Sequence, residues 1–506
     1  MSLAARVRMR PVLYPAVILV AFVLNFLVDT GVSPYAAGRP LIVAVGIGLL
    51  TPWLVGLATG DRDRAGLLGV IVVLMALAAG TPAFVVLSLV AFTLVALQPL
   101  LRRRARPSAA PAPNPLPLAT RVLAIGSVIL LVAVGIKAVQ LGRVETFAQD
   151  LVAESPLHPR PVAASPASTG TPNMYFVLLD GYPRADKLLS EFEIDNSSFI
   201  GDLRARDFVV ADHSRSNQVL TQLTLAQMFN YRSATEVPQS LDGTNRLPRI
   251  DINDGAFFAD LHRLGYETVA VSPAFEHMAL RRADVFLDSG QLNEFEWVMA
   301  EMTGLSVLAN AVLPNLAADA HRSRILDAFE IAERQAQSLG AGRRFVLVHL
   351  LAPHSPQVFG ADGRPTDVSG FSLPYSDPAE ISRYGFDEYA RRLEGQIEFL
   401  NGRTLQLVDA VVAGDPGAVV VVFSDHGSGA RWSTDNAKAD IDLRTANLLA
   451  VRSPGKAGII DDRSTLANLL PRLLRAYTGT GPPDVPETVY VRADEPDASF
   501  VFVRPD

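Results

Sequence analysis

The sequence predicts two domains with different surroundings. Residues 1–150 read as an α-helical membrane domain of about five spans, 151–172 as a linker, and 173–506 as an α/β/α domain with a mostly parallel sheet. Three observations predict this. Long apolar runs crowd the first 150 residues of a chain that is 49% hydrophobic with a mean hydropathy of +0.23, more apolar than an ordinary soluble protein. From Asn173 on, short Val- and Leu-rich runs alternate with amphipathic segments, the pattern of a parallel sheet covered on both faces. The charge divides at the same place. Residues 1–150 hold 13 Lys and Arg against 5 Asp and Glu, and residues 151–506 hold 32 against 47.

The apolar runs lie at about 12–28, 41–57, 67–79, 83–101 and 122–141. A spanning helix needs about 20 apolar residues, so the third is short, and Gly80-Thr81-Pro82 reads as a tight turn between it and the fourth. Read as one broken segment, the third and fourth runs would give four spans. The four runs that come after the first argue against a cleaved signal peptide. Arginine sets the orientation. Arg6, Arg8 and Arg10, then Arg62 and Arg64, then Arg102, Arg103, Arg104, Arg106 and Arg121 fall on one side of a five-span layout, and the other two loops hold only Arg39. That side is the cytoplasm, so the chain leaves the fifth span on the outside, with Lys137 near its outer end. Pro- and Ala-rich stretches at 107–117 and 154–172 read as extended connectors.

In the second half, Met174–Leu179 reads as a strand ending at Asp180, 255–264 as a helix, and 267–271 and 344–349 as strands. A long amphipathic helix lies within 381–412, and 417–423 is a buried strand. Sites in such sheets lie beyond the carboxyl ends of the strands, where Asp180, His349 with His354, and Asp425 with His426 occur. Asp180 alone reads equally as a turn former or helix cap, and His349 as a buried structural histidine. Asp425-His426-Gly427 is more specific, because two metal-ligand types stand together at a strand end. There is no cysteine, which excludes disulfides, thiolate metal sites and cysteine nucleophiles. Lysine occurs at only four positions while arginine is abundant, a bias of GC-rich bacteria. The acidic second half argues against nucleic acid as a partner.

Phe176-Val-Leu-Leu-Asp180-Gly, Phe345-Val-Leu-Val-His349-Leu-Leu-Ala-Pro-His354-Ser-Pro and Val422-Phe-Ser-Asp425-His426-Gly, in that order, resemble the sulfatase-like branch of the alkaline phosphatase superfamily. The five-span anchor before such a domain resembles lipoteichoic acid synthases and lipid A phosphoethanolamine transferases. The resemblance implies a hydroxyl or formylglycine nucleophile at a helix start. In Ser214-Arg-Ser-Asn217-Gln-Val-Leu-Thr221-Gln-Leu-Thr224 it falls on Thr221, with Thr224 as runner-up, otherwise a helical surface hydroxyl. The implied metal set is Asp180, Thr221, Asp425 and His426, and His354 is implied to contact substrate or a second metal and to protonate the leaving group. His349, Asn217 and Arg431 are the substrate-binding candidates, with Arg444 as the alternative to Arg431. The transferases have a further His about a dozen residues beyond the Asp-His pair, and no His comes after His426 here. One tightly bound divalent ion, Zn, Mn or Mg, is therefore expected.

The resemblance implies a metal-dependent phosphotransferase or phosphodiesterase of the bacterial cytoplasmic membrane. Its domain outside the membrane would move a phosphate-linked headgroup from a membrane lipid donor to an envelope glycan or lipid acceptor. The alternatives are a sulfuric ester hydrolase and a non-catalytic envelope-assembly protein of the same fold. Sulfatases make formylglycine in a (Cys/Ser)-x-Pro-x-Arg context, and no Ser here has Pro at +2 and Arg at +4.

Overall fold

The computed structural model of the protein describes residues 12–30, 32–77, 90–93, 95, 97, 116–154, 171–234, 252–337, 343–368, 376–432, 440–491 and 501–503. The chain divides into two compact units, Met1–Phe147 with Asn293–Pro314, and Ala148–Leu292 with Asn315–Asp506.

In the first unit, helices α1 (Tyr14–Thr30), α2 (Gly38–Thr59) and α3 (Arg62–Leu77) pack together; α4 (Leu116–Glu154) belongs to this unit as far as Phe147. Pro34–Ala58 and Leu116–Gln140 are long and apolar enough to cross a membrane, and Tyr14–Thr30 is apolar but shorter. The described helices thus carry two spans by length. The apolar runs at 67–79 and 83–101 lie partly outside the described residues. Polar groups pin this unit. Lys137 pairs with Asp29 and donates to Asn25 Oδ1 at 3.1 Å.

Residues 293–314 belong to this unit although the chain on either side of them belongs to the other. The side chain of Asn293 caps the helix Glu294–Met302 in a reciprocal capping box with Glu296. Phe295 and Met299 pack with Leu19, Val23, Ala36, Ala44 and Val73, and Arg39 makes a two-toothed ion pair with Glu296 at 2.5 and 2.7 Å.

Among the described residues, the second unit is built on a seven-stranded sheet of order β2-β7-β6-β1-β5-β3-β4. The strands are β1 (Met174–Leu179), β2 (Val209–Val210), β3 (Tyr266–Val271), β4 (Val285–Leu287), β5 (Arg343–Leu350), β6 (Val419–Phe423) and β7 (Leu449–Arg452). Pairs β1–β5, β1–β6, β3–β5 and β3–β4 are parallel, as the run pattern predicts. Alternate residues feed two cores. Tyr175, Val177, Leu179, Val346, Val348, Val420 and Val422 join one, and Met174, Phe176, Leu178, Leu347, Val421 and Phe423 the other, as a sheet buried on both faces requires. The first core is covered by α5 (Ala185–Phe192), α6 (Ser197–Arg204) and the long helices Leu316–Gln337 and Phe386–Gly414, the second by helices Thr221–Phe229, Ala256–Arg263 and Leu469–Thr478. The helix Phe386–Gly414 buries Tyr389, Leu393, Ile397, Leu400, Leu407 and Val411, a stripe at helical spacing.

Two details differ from the sequence pattern. The amphipathic stretch at 381–412 breaks at Gly385, whose φ of +84° ends one helix, Asp377–Tyr384, and caps the next. Strand β7 lies antiparallel to both β6 and β2. The connection from β6 to β7 therefore begins and ends at the same end of the sheet and needs no crossover helix. The described parts of this connection, 424–432 and 440–448, lie between the carboxyl end of β6 and the start of β7.

Candidate metal centre and nucleophile

Strands β6, β1 and β5 are adjacent and parallel, so their carboxyl ends lie side by side. Leu178 is level with both His349 and Phe423. This register brings Asp180, one residue beyond β1, beside Asp425 and His426, two and three beyond β6, and beside His349, the last residue but one of β5. Gly181 completes the turn. Its φ is +72°, and a side-chain carbon there would lie 3.5 Å from His426 Cε1 and 3.8 Å from His354 Cβ. His354 and His426 thus crowd this one glycine, and His354 N–H donates to Asp180 O at 2.9 Å. Gly427 answers a close approach: a Cβ would meet Leu443 O at 2.2 Å and Ala446 O at 2.5 Å.

The helix Thr221–Phe229, α7, opens on Thr221 with no capping side chain on Leu220, so the positive end of its dipole lies at the site. Thr221 Oγ1 sits 3.5 Å from Asp180 Oδ2 and 3.4 Å from His426 Nε2. Thr224 is buried, not a surface hydroxyl, and donates to Asp425 O at 3.1 Å. One turn further along the helix, it reaches the backbone of a site residue rather than the pocket.

Each carboxylate has one oxygen engaged and one left over. Asp180 Oδ2 faces His349 Nε2 at 3.0 Å. Asp425 Oδ1 accepts from Gly181 N–H at 3.1 Å. Asp180 Oδ1 and Asp425 Oδ2 are buried without a hydrogen-bond partner, and with His426 Nε2 they form a cluster whose ligand atoms lie within 4.8 Å of one another. Buried unpaired carboxylate oxygens are costly, about 1–3 kcal/mol each even for neutral polar groups. Here they converge on one point. Two carboxylates, a hydroxyl and an imidazole form a hard-to-borderline donor set that fits one divalent cation.

The electrostatics agree. Burial alone would raise the Asp180 carboxyl, but the His349 hydrogen bond and the neighbouring His354, His349 and His426 outweigh it and hold it well below its usual range. Burial, then the Arg444 charge, pushes His426 down against the pull of Asp425 and Asp180, so the ring is neutral at pH 7. Its Nδ1 lies 2.9 Å from Gly427 O and its Nε2 2.9 Å from an Arg444 Nη2 donor. The proton thus sits on Nδ1, and the Nε2 lone pair, beside Asp425 Oδ2 at 3.1 Å, is taken up by Arg444, which a bound cation would displace from it.

Arg444 and Arg431 separate clearly. Arg444 is buried, donates through Nε to Val219 O at 2.9 Å and lies over the Trp432 ring at 5.6 Å. Arg431 is half exposed and paired with Glu191 at 2.6 Å. The Asn217 side chain is held between Thr488 O at 3.2 Å and Ala467 N–H at 3.3 Å, both backbone groups. His354 Nδ1 lies 2.8 Å from Ser355 O.

Three supporting residues went unnoticed in the sequence. Asp377 accepts from Ser355 Oγ at 2.5 Å and from Gly429 N–H at 2.7 Å, tying the His354 loop to the Asp-His-Gly loop. Ser424 Oγ accepts from Tyr182 N–H and donates to His426 O at 2.6 Å. Asn447 Nδ2 donates to Ser424 O at 2.6 Å. The only local signal for Asp377 is Ser376-Asp-Pro, a helix start.

Fold and site together define an α/β enzyme with a buried Asp–Asp–His cluster that could hold a divalent cation at the carboxyl ends of its central parallel strands. The profile of the Sulfatase family matches residues 172–479. The chain belongs to this family, within the alkaline phosphatase–sulfatase superfamily. No curated protein matches the chain. Among solved structures it is similar to the zinc complex of the C-terminal periplasmic domain of EcEptC from Escherichia coli, at 14% identity and a TM-score of 0.43, over 67% of this chain and 96% of that one. It is similar to the integral membrane protein lipooligosaccharide phosphoethanolamine transferase A (EptA) from Neisseria meningitidis at 14% identity and 0.36, over 93% and 95%. It is also similar to BT1596, a 2-O GAG sulfatase, at 14% identity and 0.41, over 62% and 72%.

Proposed function

We propose that this protein is a membrane-anchored, metal-dependent phosphotransferase or phosphodiesterase that takes a phosphate-linked headgroup from a membrane lipid outside the cytoplasmic membrane, through a phosphothreonine at Thr221. The observation that carries this is the Thr221 hydroxyl at the start of α7, 3.4 Å from His426 Nε2 and 3.5 Å from Asp180 Oδ2. An ion held by Asp180, Asp425, His426 and Thr221 would lower the hydroxyl's pKa and offset charge on the phosphoryl oxygens. Thr221 gives up its hydroxyl proton to solvent, its Oγ1 forms the bond to phosphorus, the bond to the leaving oxygen breaks, and His354 supplies that oxygen's proton. The headgroup phosphate then passes to an acceptor hydroxyl of an envelope glycan or lipid, or to water. His349 holds Asp180 in place. Arg444, already against His426, supplies positive charge to the phosphoryl group where a second metal is lacking. Sulfate ester hydrolysis has no precursor for its formylglycine, because the chain lacks cysteine and the Ser-x-Pro-x-Arg context.

The decisive experiment incubates the purified protein with bacterial phospholipids and weighs its tryptic peptides. A phosphate-headgroup adduct on the 216–232 peptide, absent in Thr221→Ala, supports the reading. Its absence under conditions of turnover refutes it. The Arg444 role is tested on a chromogenic phosphodiester. Arg444→Met should lower kcat/KM about 100-fold, with the metal still bound. Arg431→Met should cost about fivefold or less, as for an exposed ion pair.

The orientation drawn from arginine placement belongs to the same proposal, and two contacts support it. Asp29 and Lys137, assigned to the outer ends of the first and last spans, pair with each other. Arg39, in a loop assigned to the outside, pairs with Glu296 from the second half of the chain. A phosphatase reporter fused after Asp506 should be active, and a fluorescent reporter that matures only in the cytoplasm should stay dark. The opposite pattern would overturn both the five-span layout and the placement of the site.

A further inference from the structure

The segment that leaves the sulfatase fold to join the helical unit carries an unpartnered apolar helix. Within 293–314, the helix Glu294–Met302 turns its Phe295 and Met299 into the core shared with α1, α2 and α3. The next helix, Leu305–Val312, turns outward. Val307 is 70% exposed, Val312 78% and Leu313 54%, with Met302 and Leu305 also exposed. No charged residue occurs between Glu301 and Asp319. A run of large apolar side chains left in solvent with no intervening charge marks a contact surface. At eight residues the helix is far too short to cross a bilayer, which takes about 20.

We infer that Leu305–Leu313 is an interfacial helix that lies in the outer leaflet of the membrane. This rests on the reading of the first unit as membrane-spanning. Lipid is favoured as its occupant because the helix is continuous, within one compact unit, with α2 and α4. The exposed faces of those helices, among them Ile42, Leu50 and Leu54 on α2 and Val128, Ile129 and Ile136 on α4, are equally apolar. The ion pair of Arg39 with Glu296 lies beside the root of the segment, on the side where the arginine pattern places the outer face. The helix holds an aliphatic face in the acyl region, as surface-lying helices do, and ties the middle of the enzyme's chain to the surface from which its lipid is drawn.

Because the chain has no cysteine, a single introduced cysteine carries a single nitroxide label. In the full-length protein in phospholipid nanodiscs, Val307→Cys and Val312→Cys are compared with Val128→Cys on α4 and with Arg364→Cys, 86% exposed in its side chain, as the water reference. Labels at 307 and 312 should collide severalfold more with oxygen, relative to a water-soluble nickel complex, than the label at 364, and match the label at 128. If 307 and 312 behave like 364 while 128 reports lipid, the interfacial helix is overturned and the spanning helices stand. If 128 also reports water, the membrane reading falls and this inference with it. Dipolar broadening between labels at 307 on two copies would assign the face to self-association, and would also overturn it.

Discussion

Thr221→Ala is expected to abolish turnover, a loss on the order of 10⁴-fold or more, with the fold intact. Among the described residues, only the hydroxyl at the start of α7 lies within 3.5 Å of both Asp180 and His426, and alanine keeps the helix. Serine should retain part of the rate, since it loses a methyl and keeps the hydroxyl. Thr224→Ala is the instructive control. It removes a buried hydrogen bond to Asp425 O, worth about 1–3 kcal/mol when the acceptor is left unpaired, and should lower stability and loosen Asp425 without ending activity. Steady-state rates and melting curves on the same preparations separate the two. Full activity in Thr221→Ala would move the nucleophile elsewhere, whereas equal loss in both with equal drops in Tm would make unfolding the cause.

Asp425→Asn should remove the bound ion. The wild-type protein should hold about one divalent ion per chain, and ion at 100 times Kd should add about 2.7 kcal/mol of stability, a Tm rise of several degrees. Asp425→Asn should show no such rise. Without ion, however, the variant should melt no lower than wild type. The wild-type site then buries two carboxylates with unpaired oxygens, and losing one of those charges relieves the other. Ion binding should also fade as pH falls, because His426 must stay neutral and both carboxylates ionised to act as ligands. Elemental analysis together with calorimetry checks all of this. Two zinc equivalents would refute the single-ion reading and bring His349 and His354 in as ligands.

The parts of this site that lie next to a strand in the chain were legible in the sequence. Asp180 and Asp425-His426 come directly after runs whose period and length mark them as buried strands, and parallel neighbours bring their ends together with no further information. The supporting groups were not legible. Asp377 reaches Ser355 and Gly429 across 22 and 52 residues, and in the sequence it is one more acidic residue at a helix start. Arg444 and Arg431 look alike as arginines. They are told apart by place: the five-residue helix Ile441–Thr445 carries Arg444 into the interior, while Arg431 lies outside that helix, half exposed and paired with Glu191. Thr224 sits in a helix all nine of whose residues are buried, Thr221, Gln222 and Gln227 among them, so no exposed polar face marked which hydroxyl was useful. The antiparallel entry of β7 was equally hidden, because four residues of strand show their burial but not their direction.

The excursion at 293–314 bears on how this enzyme can be handled. A secreted fragment beginning near residue 172 would look like a natural cut, since it removes the apolar helices and keeps the family's whole matched region. Such a fragment would still carry Phe295 and Met299, stripped of the helices that cover them, next to Val307, Val312 and Leu313. It should clump or cling to detergent. Excising the excursion and rejoining Leu292 to Asn315 through a glycine-serine bridge should give a monodisperse protein by size exclusion, with the cation pocket and Thr221 retained. If the excised fragment precipitates while the uncut one stays in solution, the excursion contributes to the fold of the soluble half as well.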